Sequence, residues 1–298
     1  MRVVVAGGSG FLGSALVRSL RESGQEVSIL TRRPVGNPNE ISWDGRSVDV
    51  WAASLEGADA VVNLTGYGLE HWPWNAGQKR HFVLSRVEPG VALASAIEAS
   101  AHRPRVFIQV SGINFYGLRG AGIADESTAA ASDYLAQLAV QWEAATRSVE
   151  DLGIRRVVAR SAVVLAANGG LFPLMALPVR LMIGGPLGNG RQAVPWIHLA
   201  DQVRALRFLM ENEQATGAFN LIAPQATSNE DFMRAVAGVL HRPYWLRTPG
   251  ILLRLALGEM SDLVLEGRYS RPMRLEKMGF QFAYPTIQAA LSSLLKRS

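Results

Sequence analysis

The chain has 298 residues, of which 48% are hydrophobic and 18% charged, a composition typical of a folded globular protein with room for one large and one smaller lobe. It contains no cysteine, which excludes disulfides, thiolate metal ligands and a cysteine nucleophile. The formal net charge is +5, but no basic run is interleaved with aromatic residues, so we predict no nucleic-acid partner.

The chain begins with an apolar run and a glycine-rich loop, without the segment order of an export signal. Its most apolar late stretch, 171–183, is interrupted by Pro173, Pro178 and Arg180 and is shorter than the roughly 20 residues that span a bilayer. We therefore expect a cytoplasmic protein without a transmembrane segment. The oligomeric state and the protein partners stay open.

The first half of the chain alternates short apolar runs with segments of helical periodicity. Predicted strands cover 3–6, 27–30, 58–64, 106–110 and 157–165, and predicted helices cover 12–21, 87–99 and 134–152. This alternation is typical of a parallel sheet with helices on both faces. The predicted fold class is therefore α/β, with a doubly wound, parallel-sheet Rossmann domain.

The second half of the chain loses this alternation. A Gly/Pro-rich stretch, 168–195, precedes one more strand and helix signal, and the end is mainly helical, with a last helix that ends in Lys296 and Arg297. We assign 1–165, completed by 196–222, to the NADP-binding Rossmann domain, and 166–195 with 223–298 to a smaller, mainly helical substrate-binding lobe.

The loop between the first predicted strand and helix carries the strongest chemical signal. It consists of Gly7, Gly8, Ser9, Gly10, Phe11, Leu12 and Gly13, and it satisfies the dinucleotide-binding pattern G-x-G-x-x-G. Glycines here permit a tight turn and the close approach of a pyrophosphate, which the N-terminus of the following helix attracts. We predict a cofactor-binding loop rather than a plain turn.

The residues at the end of the second predicted strand favour NADP(H) over NAD(H). An NAD site places Asp or Glu about 20 residues after the loop, where it binds the ribose 2′-hydroxyl. Here the chain reads Thr31-Arg32-Arg33, and an arginine fork suits a 2′-phosphate. We predict that Arg32, with Arg33 and the Ser9 hydroxyl, binds that phosphate; a solvated arginine pair is the alternative.

Four motifs together resemble the extended short-chain dehydrogenase/reductase superfamily. They are the glycine loop, Asn63-Leu64-Thr65-Gly66, Ser111 with Tyr116-Gly117, and Trp196-Ile197-His198 with Asp201. Further segments, 184–192, 142–143, 241–243 and 279–285, resemble the epimerase family branch described as NAD-dependent epimerase/dehydratase-like. The resemblance implies that 63–66 lie along the adenosine side of the cofactor, that Ser111 lies beside the cofactor, and that substrate enters a cleft between the lobes.

The Tyr-x-x-x-Lys pair on which the superfamily's chemistry depends is missing. The lysines of the chain are Lys79, Lys277 and Lys296, and the residue four positions after Tyr134 is a leucine. The candidate catalytic residues near the strand ends are Ser111, Tyr116 and Tyr134, with ordinary packing and hydrogen bonding as the alternative. A tyrosine without its lysine keeps a pKa of about 10, so it is a poor base at neutral pH although it can donate a hydrogen bond.

The loop 184–192 ends in Arg191 and Gln192, and we predict that it closes over a small-molecule substrate, for which the arginine favours an anionic group. A long structural loop is the alternative. His198 lies among apolar residues, so we expect a packed core histidine rather than a catalytic one. The chain carries no metal-binding motif, and we predict no metal site.

Two functions are consistent with these observations. The favoured one is an NADP(H)-dependent oxidoreductase or epimerase-like enzyme with an atypical active site, in which the cofactor carries the redox chemistry. The other is a catalytically silent NADP(H)-sensing regulatory protein, whose conformation follows cofactor occupancy. The sequence does not identify the substrate.

Overall fold

The chain folds around a parallel β-sheet with helices on both faces, and the computed structural model describes residues 1–295. In spatial order the sheet contains β3 (Glu40–Ser42), β2 (Glu26–Thr31), β1 (Arg2–Ala6), β4 (Ala60–Asn63), β5 (Val106–Gly112), β6 (Arg155–Ser161) and β9 (Gly217–Leu221). A smaller parallel sheet pairs β7 (Val163–Leu165) with β8 (Trp196–His198). From β1 the chain adds β2 and β3 on one side of the sheet, and then β4, β5, β6 and β9 on the other side, while all strands stay parallel. The predicted doubly wound α/β fold is therefore confirmed.

Helices of the Rossmann part cover the two faces of this sheet. On one face lie α1 (Phe11–Glu22) and α5 (Leu199–Glu211), and on the other lie α2 (Ala76–Ala99) and α3 (Tyr134–Ala144). The later helices are α4 (Phe172–Arg180), α6 (Asn229–Leu240), α7 (Gly250–Leu257), α8 (Asp262–Leu265), α9 (Met273–Lys277) and α10 (Ile287–Leu295). Within residues 1–295, none of these helices has the length and apolar character needed to cross a bilayer.

Successive side chains along each strand lie on opposite faces of the sheet, where they pack into two separate hydrophobic cores. Val5 and Ile108 pack with Leu16 of α1, whereas Phe107 packs with Leu93 of α2 on the opposite face. A third core lies among α4, α6 and α10, where Phe172 and other buried apolar side chains meet. This third core supports the predicted smaller lobe, but the exact division of the chain into two lobes stays a prediction.

Some helix boundaries differ from the predicted ones, because capping residues determine where a helix begins. Helix α2 begins at residue 76 rather than 87, because the side chain of Asn75 caps it by accepting a hydrogen bond from the amide of Gln78. The predicted strand 157–165 is two strands, and β7 leaves the main sheet to pair with β8. The predicted end of the last helix at Lys296 and Arg297 lies outside the described residues.

His198 is a packed core histidine, as predicted. Its Nδ1 accepts the amide N–H of Ala200 at 3.0 Å and thereby caps α5, and its ring stacks on Tyr284 at 3.8 Å between centroids. Its Nε2 lies 3.1 Å from the hydroxyl of Ser293, which itself donates to the carbonyl of Ala290. Burial lowers the pKa of His198, so the folded chain keeps this ring neutral.

We expect His198 to make the protein less stable as the pH falls. Because its pKa is lower in the folded state than the unfolded value of about 6.5, the unfolded chain binds the proton first, and the free energy of unfolding decreases below that pH by up to about 1.4 kcal/mol per pH unit. His198→Asn keeps a capping acceptor and removes the titration. Urea unfolding at pH 7, 6 and 5 should give a shallower pH dependence for the variant, and parallel curves would contradict the assignment.

Candidate functional site

A cleft of about 700 Å³ opens at the carboxyl ends of the central strands. It is lined by most of the predicted cofactor-binding residues: Gly7, Ser9, Gly10, Thr31, Arg32, Arg33, Leu64, Thr65 and Gly66. Its other walls come from the segment 43–46, which follows β3, and from α2. The sheet therefore brings three motifs that are distant in sequence to one surface.

Glycine is required in the loop before α1 for steric reasons. Gly7 has φ of +77°, and a Cβ on Gly13 would overlap the carbonyl oxygen of Gly7 and lie 2.7 Å from the Cα of Gly8. Gly10 is the N-cap residue and offers no side-chain acceptor to the first turn of α1. The amides of that turn are therefore available to an anion.

Polar side chains at the end of β2 form one wall of the cleft. The hydroxyls of Ser9 and Thr31 are 2.9 Å apart, and the backbone amide of Arg33 donates to the Thr31 hydroxyl at 3.3 Å. Arg32 and Arg33 are exposed, and no carboxylate of residues 1–295 forms an ion pair with either. Arg46, which sequence reasoning missed, reaches the same cleft from the segment after β3.

The turn after β4 is fixed by the side chain of Asn63. Its Nδ2 donates to Oε1 of Gln109 at 3.0 Å, and its Oδ1 accepts from the amide and the hydroxyl of Thr65. The amide of Leu64 donates to the carbonyl of Ala6 in β1. These contacts hold the turn against the glycine loop, so Asn63 acts as a scaffold while its three neighbours line the cleft.

The structure places Tyr116 away from the cleft. This side chain is 0% exposed, and its hydroxyl donates to Oδ1 of Asn220 at 2.8 Å and accepts from Arg160 at 3.0 Å. Arg160 in turn forms a two-point ion pair with Glu143 at 2.8 Å. Burial raises the pKa of Tyr116, so the hydroxyl stays protonated. The buried network gives Tyr116 a structural role and does not support its predicted catalytic one.

Ser111 lies at the carboxyl end of β5, on the face of the sheet that α2 and α3 cover. It is 2% exposed, and its hydroxyl has no hydrogen-bond partner among the described residues. The indole N–H of Trp142 on α3 is also buried without a partner there. Buried polar atoms without partners are rare, although neither Ser111 nor Trp142 lines the cleft at the glycine loop or the cleft at Tyr134.

Tyr134, the first residue of α3, borders a second cleft of about 380 Å³. Its hydroxyl donates to the carbonyl of Lys79 at 3.2 Å, and the ammonium of Lys79 lies 4.9 Å from the centroid of its ring. That ammonium pairs with Glu259. A lysine of α2 therefore approaches this tyrosine, although no lysine follows the tyrosine on α3. Burial raises the pKa of Tyr134.

The second cleft does not favour an anionic substrate. Its lining includes the carboxylates of Asp133, Glu259, Asp262 and Glu266, against the guanidinium of Arg119. Arg119 already pairs with Glu266 at 3.0 Å. The excess of negative charge therefore makes this cleft unfavourable for an anionic group, which the sequence predicts at Arg191 instead.

The loop 184–192 packs on the segment 245–248 and lines neither of these two clefts. Gly188 donates to the carbonyl of Thr248, and the side-chain amide of Gln192 donates to the carbonyls of Leu187 and Val264. Arg191 is exposed. These contacts favour the alternative of a structural loop. Among residues 1–295, no cluster of three potential metal ligands is present.

Comparison with protein families identifies both parts of the chain. Residues 3–221 match the model of the NAD dependent epimerase/dehydratase family, and residues 248–294 match a domain of unknown function, DUF1731. The chain belongs to the NAD-dependent epimerase/dehydratase family. The predicted family is therefore confirmed.

Relatives of this family match along the whole chain. The epimerase family protein SDR39U1 of Mus musculus is 36% identical over 99% of this chain and 100% of its own length, and the epimerase family protein ML0860 of Mycobacterium leprae is 36% identical over 97% and 94%. The crystal structure of human SDR39U1, solved with NADPH, superposes with a TM-score of 0.91 at 34% identity over 100% of both chains. A UDP-glucose 4-epimerase of Thermotoga maritima has a TM-score of 0.79 at 16% identity, over 99% and 98%, and shows the shared fold.

We expect Tyr116→Phe to destabilise the fold. Loss of the hydroxyl leaves Oδ1 of Asn220 without its donor and Nη1 of Arg160 without its acceptor in a buried site, so the free energy of unfolding should fall by about 1–3 kcal/mol. Tyr269→Phe is a matched control, because its hydroxyl bonds a carbonyl at the protein surface, and it should cost less than about 0.5 kcal/mol. Urea unfolding measures both, and equal losses would argue against the structural role of Tyr116.

Proposed function

We propose that the chain binds NADP(H) in the cleft at the glycine loop and acts as an oxidoreductase or epimerase-like enzyme of atypical mechanism. The observation that carries this proposal is the pair Arg32 and Arg33, which stands at the end of β2 without a carboxylate partner among residues 1–295. The permanent positive charge of an arginine at this position suits the negatively charged 2′-phosphate and repels none of its atoms. The NADPH found in the structure of human SDR39U1 supports the same choice.

The residues of the cleft fit the 2′-phosphate, the pyrophosphate and the adenosine of this cofactor. Arg32, Arg33 and the Ser9 hydroxyl would hold the 2′-phosphate, and the first turn of α1 would hold the pyrophosphate. The turn formed by Leu64, Thr65 and Gly66 would flank the adenosine. When bound, the cofactor supplies or accepts a hydride.

We expect Arg32→Ala to remove most of the preference for NADPH over NADH. The unmutated protein should bind NADPH at least about tenfold more tightly, equivalent to about 1.4 kcal/mol, because only NADPH carries the 2′-phosphate. Arg18→Ala, which removes an exposed cation of α1 that does not line the cleft, should leave both affinities unchanged. Fluorescence titration measures them, and equal affinities of the unmutated protein for the two cofactors would refute the arginine argument.

For catalysis we propose Tyr134 as a hydrogen-bond donor to a small-molecule substrate in the second cleft. Its raised pKa keeps the hydroxyl protonated at neutral pH, so it donates a proton or a hydrogen bond and does not act as a base. The same hydroxyl already donates a hydrogen bond to the carbonyl of Lys79. This favours the second candidate function, a catalytically silent NADP(H) sensor. Turnover distinguishes the two.

We expect slow turnover of ordinary alcohol, ketone and sugar-nucleotide substrates, because general acid–base help worth about 10²–10⁴-fold is incomplete without a lysine at the hydroxyl. NADPH oxidation against a panel of carbonyl compounds measures it. Tyr134→Phe should lower any rate found, whereas Tyr244→Phe, in the third core, should not. Brisk turnover that Tyr134→Phe leaves unchanged would contradict the role of Tyr134, and no turnover with any compound would favour the sensor.

A further inference from the structure

A buried arginine that the proposed function does not use lies between α2 and α3. Arg86 is 6% exposed, and its Nη1 donates to the carbonyl of Phe82 at 3.0 Å. Its guanidinium lies 4.8 Å from the ring centroid of Trp142. No carboxylate of residues 1–295 pairs with it, and its Nε and Nη2 make no hydrogen bond there. Burial lowers its pKa to about 10, an effect that the charge of Glu70 partly opposes, so the cation persists at neutral pH although no carboxylate of residues 1–295 forms an ion pair with it.

The cation borders the cofactor cleft. A Cβ on Gly66, which lines the cleft, would lie 3.4 Å from the guanidinium carbon of Arg86 and 3.5 Å from its Nη2. The neighbouring residue Ser85 also lines the cleft. A buried charge is costly unless something compensates it, and a charged arginine beside an open cleft can be compensated by a ligand.

The strand order and the contacts of α2 indicate which half of a bound dinucleotide would lie near this cation. The 2′-phosphate residues follow β2 and the glycine loop follows β1, so the other half of the ligand extends across β4 towards β5. Glu88 of α2 faces the adenosine side, where it pairs with Arg46 at 2.7 Å. Arg86 faces the other way, towards Trp142 and α3. The unpartnered hydroxyl of Ser111 lies at the end of β5 on the same face of the sheet.

We propose that Arg86 binds beside the nicotinamide half of NADP(H) and makes the site prefer the reduced cofactor. The proposal rests on the proposed cofactor binding. NADPH and NADP⁺ carry the same phosphates, so attraction of Arg86 to the phosphates cancels when the two are compared. They differ in the nicotinamide ring, which is positively charged only in NADP⁺. A nearby cation that forms no ion pair with a carboxylate of residues 1–295 therefore weakens the binding of NADP⁺ relative to NADPH.

The ratio of the two dissociation constants tests this inference. The unmutated protein should bind NADPH about tenfold more tightly than NADP⁺, as expected for one nearby cation in a partly buried site. Arg86→Met and Arg86→Gln should bring the ratio close to one, and Arg86→Lys should retain it. Isothermal titration calorimetry measures the constants, with circular dichroism to confirm folding of each variant.

The adenosine half of the cofactor serves as the control ligand. Adenosine 2′,5′-bisphosphate lacks the nicotinamide half, so its affinity should change less than twofold in the Arg86 variants and should fall in Arg32→Ala. A merely structural arginine would change the melting temperature without changing the NADP⁺/NADPH ratio, and that result would overturn the inference.

The unmutated protein provides an independent test that does not depend on whether any variant folds. Equal affinity for NADP⁺ and NADPH would overturn the role of Arg86 while leaving cofactor binding intact. No binding of either form would instead overturn the proposed function itself.

Discussion

The close contact between the glycine loop and the first turn of α1 is the constraint on which the site depends. The space beside Gly13 is already filled by the backbone of Gly7 and Gly8, so any side chain there would force the helix away from the sheet. With the helix in contact, its N-terminal amides have no side-chain cap and begin at Gly10, which lines the cleft, and the turn after β4 packs against Gly7. The anion-binding floor of the cleft follows from this contact.

Charge is distributed unevenly over this floor. Arg32, Arg33 and Arg46 surround one end, where the cleft also contains Asp44 and Glu88, and Glu88 is paired with Arg46. At the other end Arg86 is buried without a carboxylate partner among the described residues. The exposed arginines are screened by water and salt, whereas the buried one is screened much less. A charged group of a ligand at the same distance would therefore interact more strongly with Arg86 than with the exposed arginines.

The parts that could be predicted from the sequence are those that local pattern determines. The glycine loop, the arginines after β2 and the packed His198 each follow from neighbours within a few residues. Arg86 and Lys79 could not be found in this way, because their roles depend on the packing of α2 against α3. The structural role of Tyr116 was missed for the same reason, because its partners Arg160 and Asn220 come from strands much later in the chain.

Residues of α2 approach both clefts. Near the start of this helix Lys79 approaches Tyr134, which lines the second cleft, and Ser85, six residues later, lines the first. Lys79 pairs there with Glu259, a residue from the helical end of the chain. Arg86, one residue after Ser85, contacts the helix that begins with Tyr134. Helix α2 therefore supplies one cation at Tyr134 and another beside the cofactor cleft, although no lysine follows that tyrosine four residues later on α3.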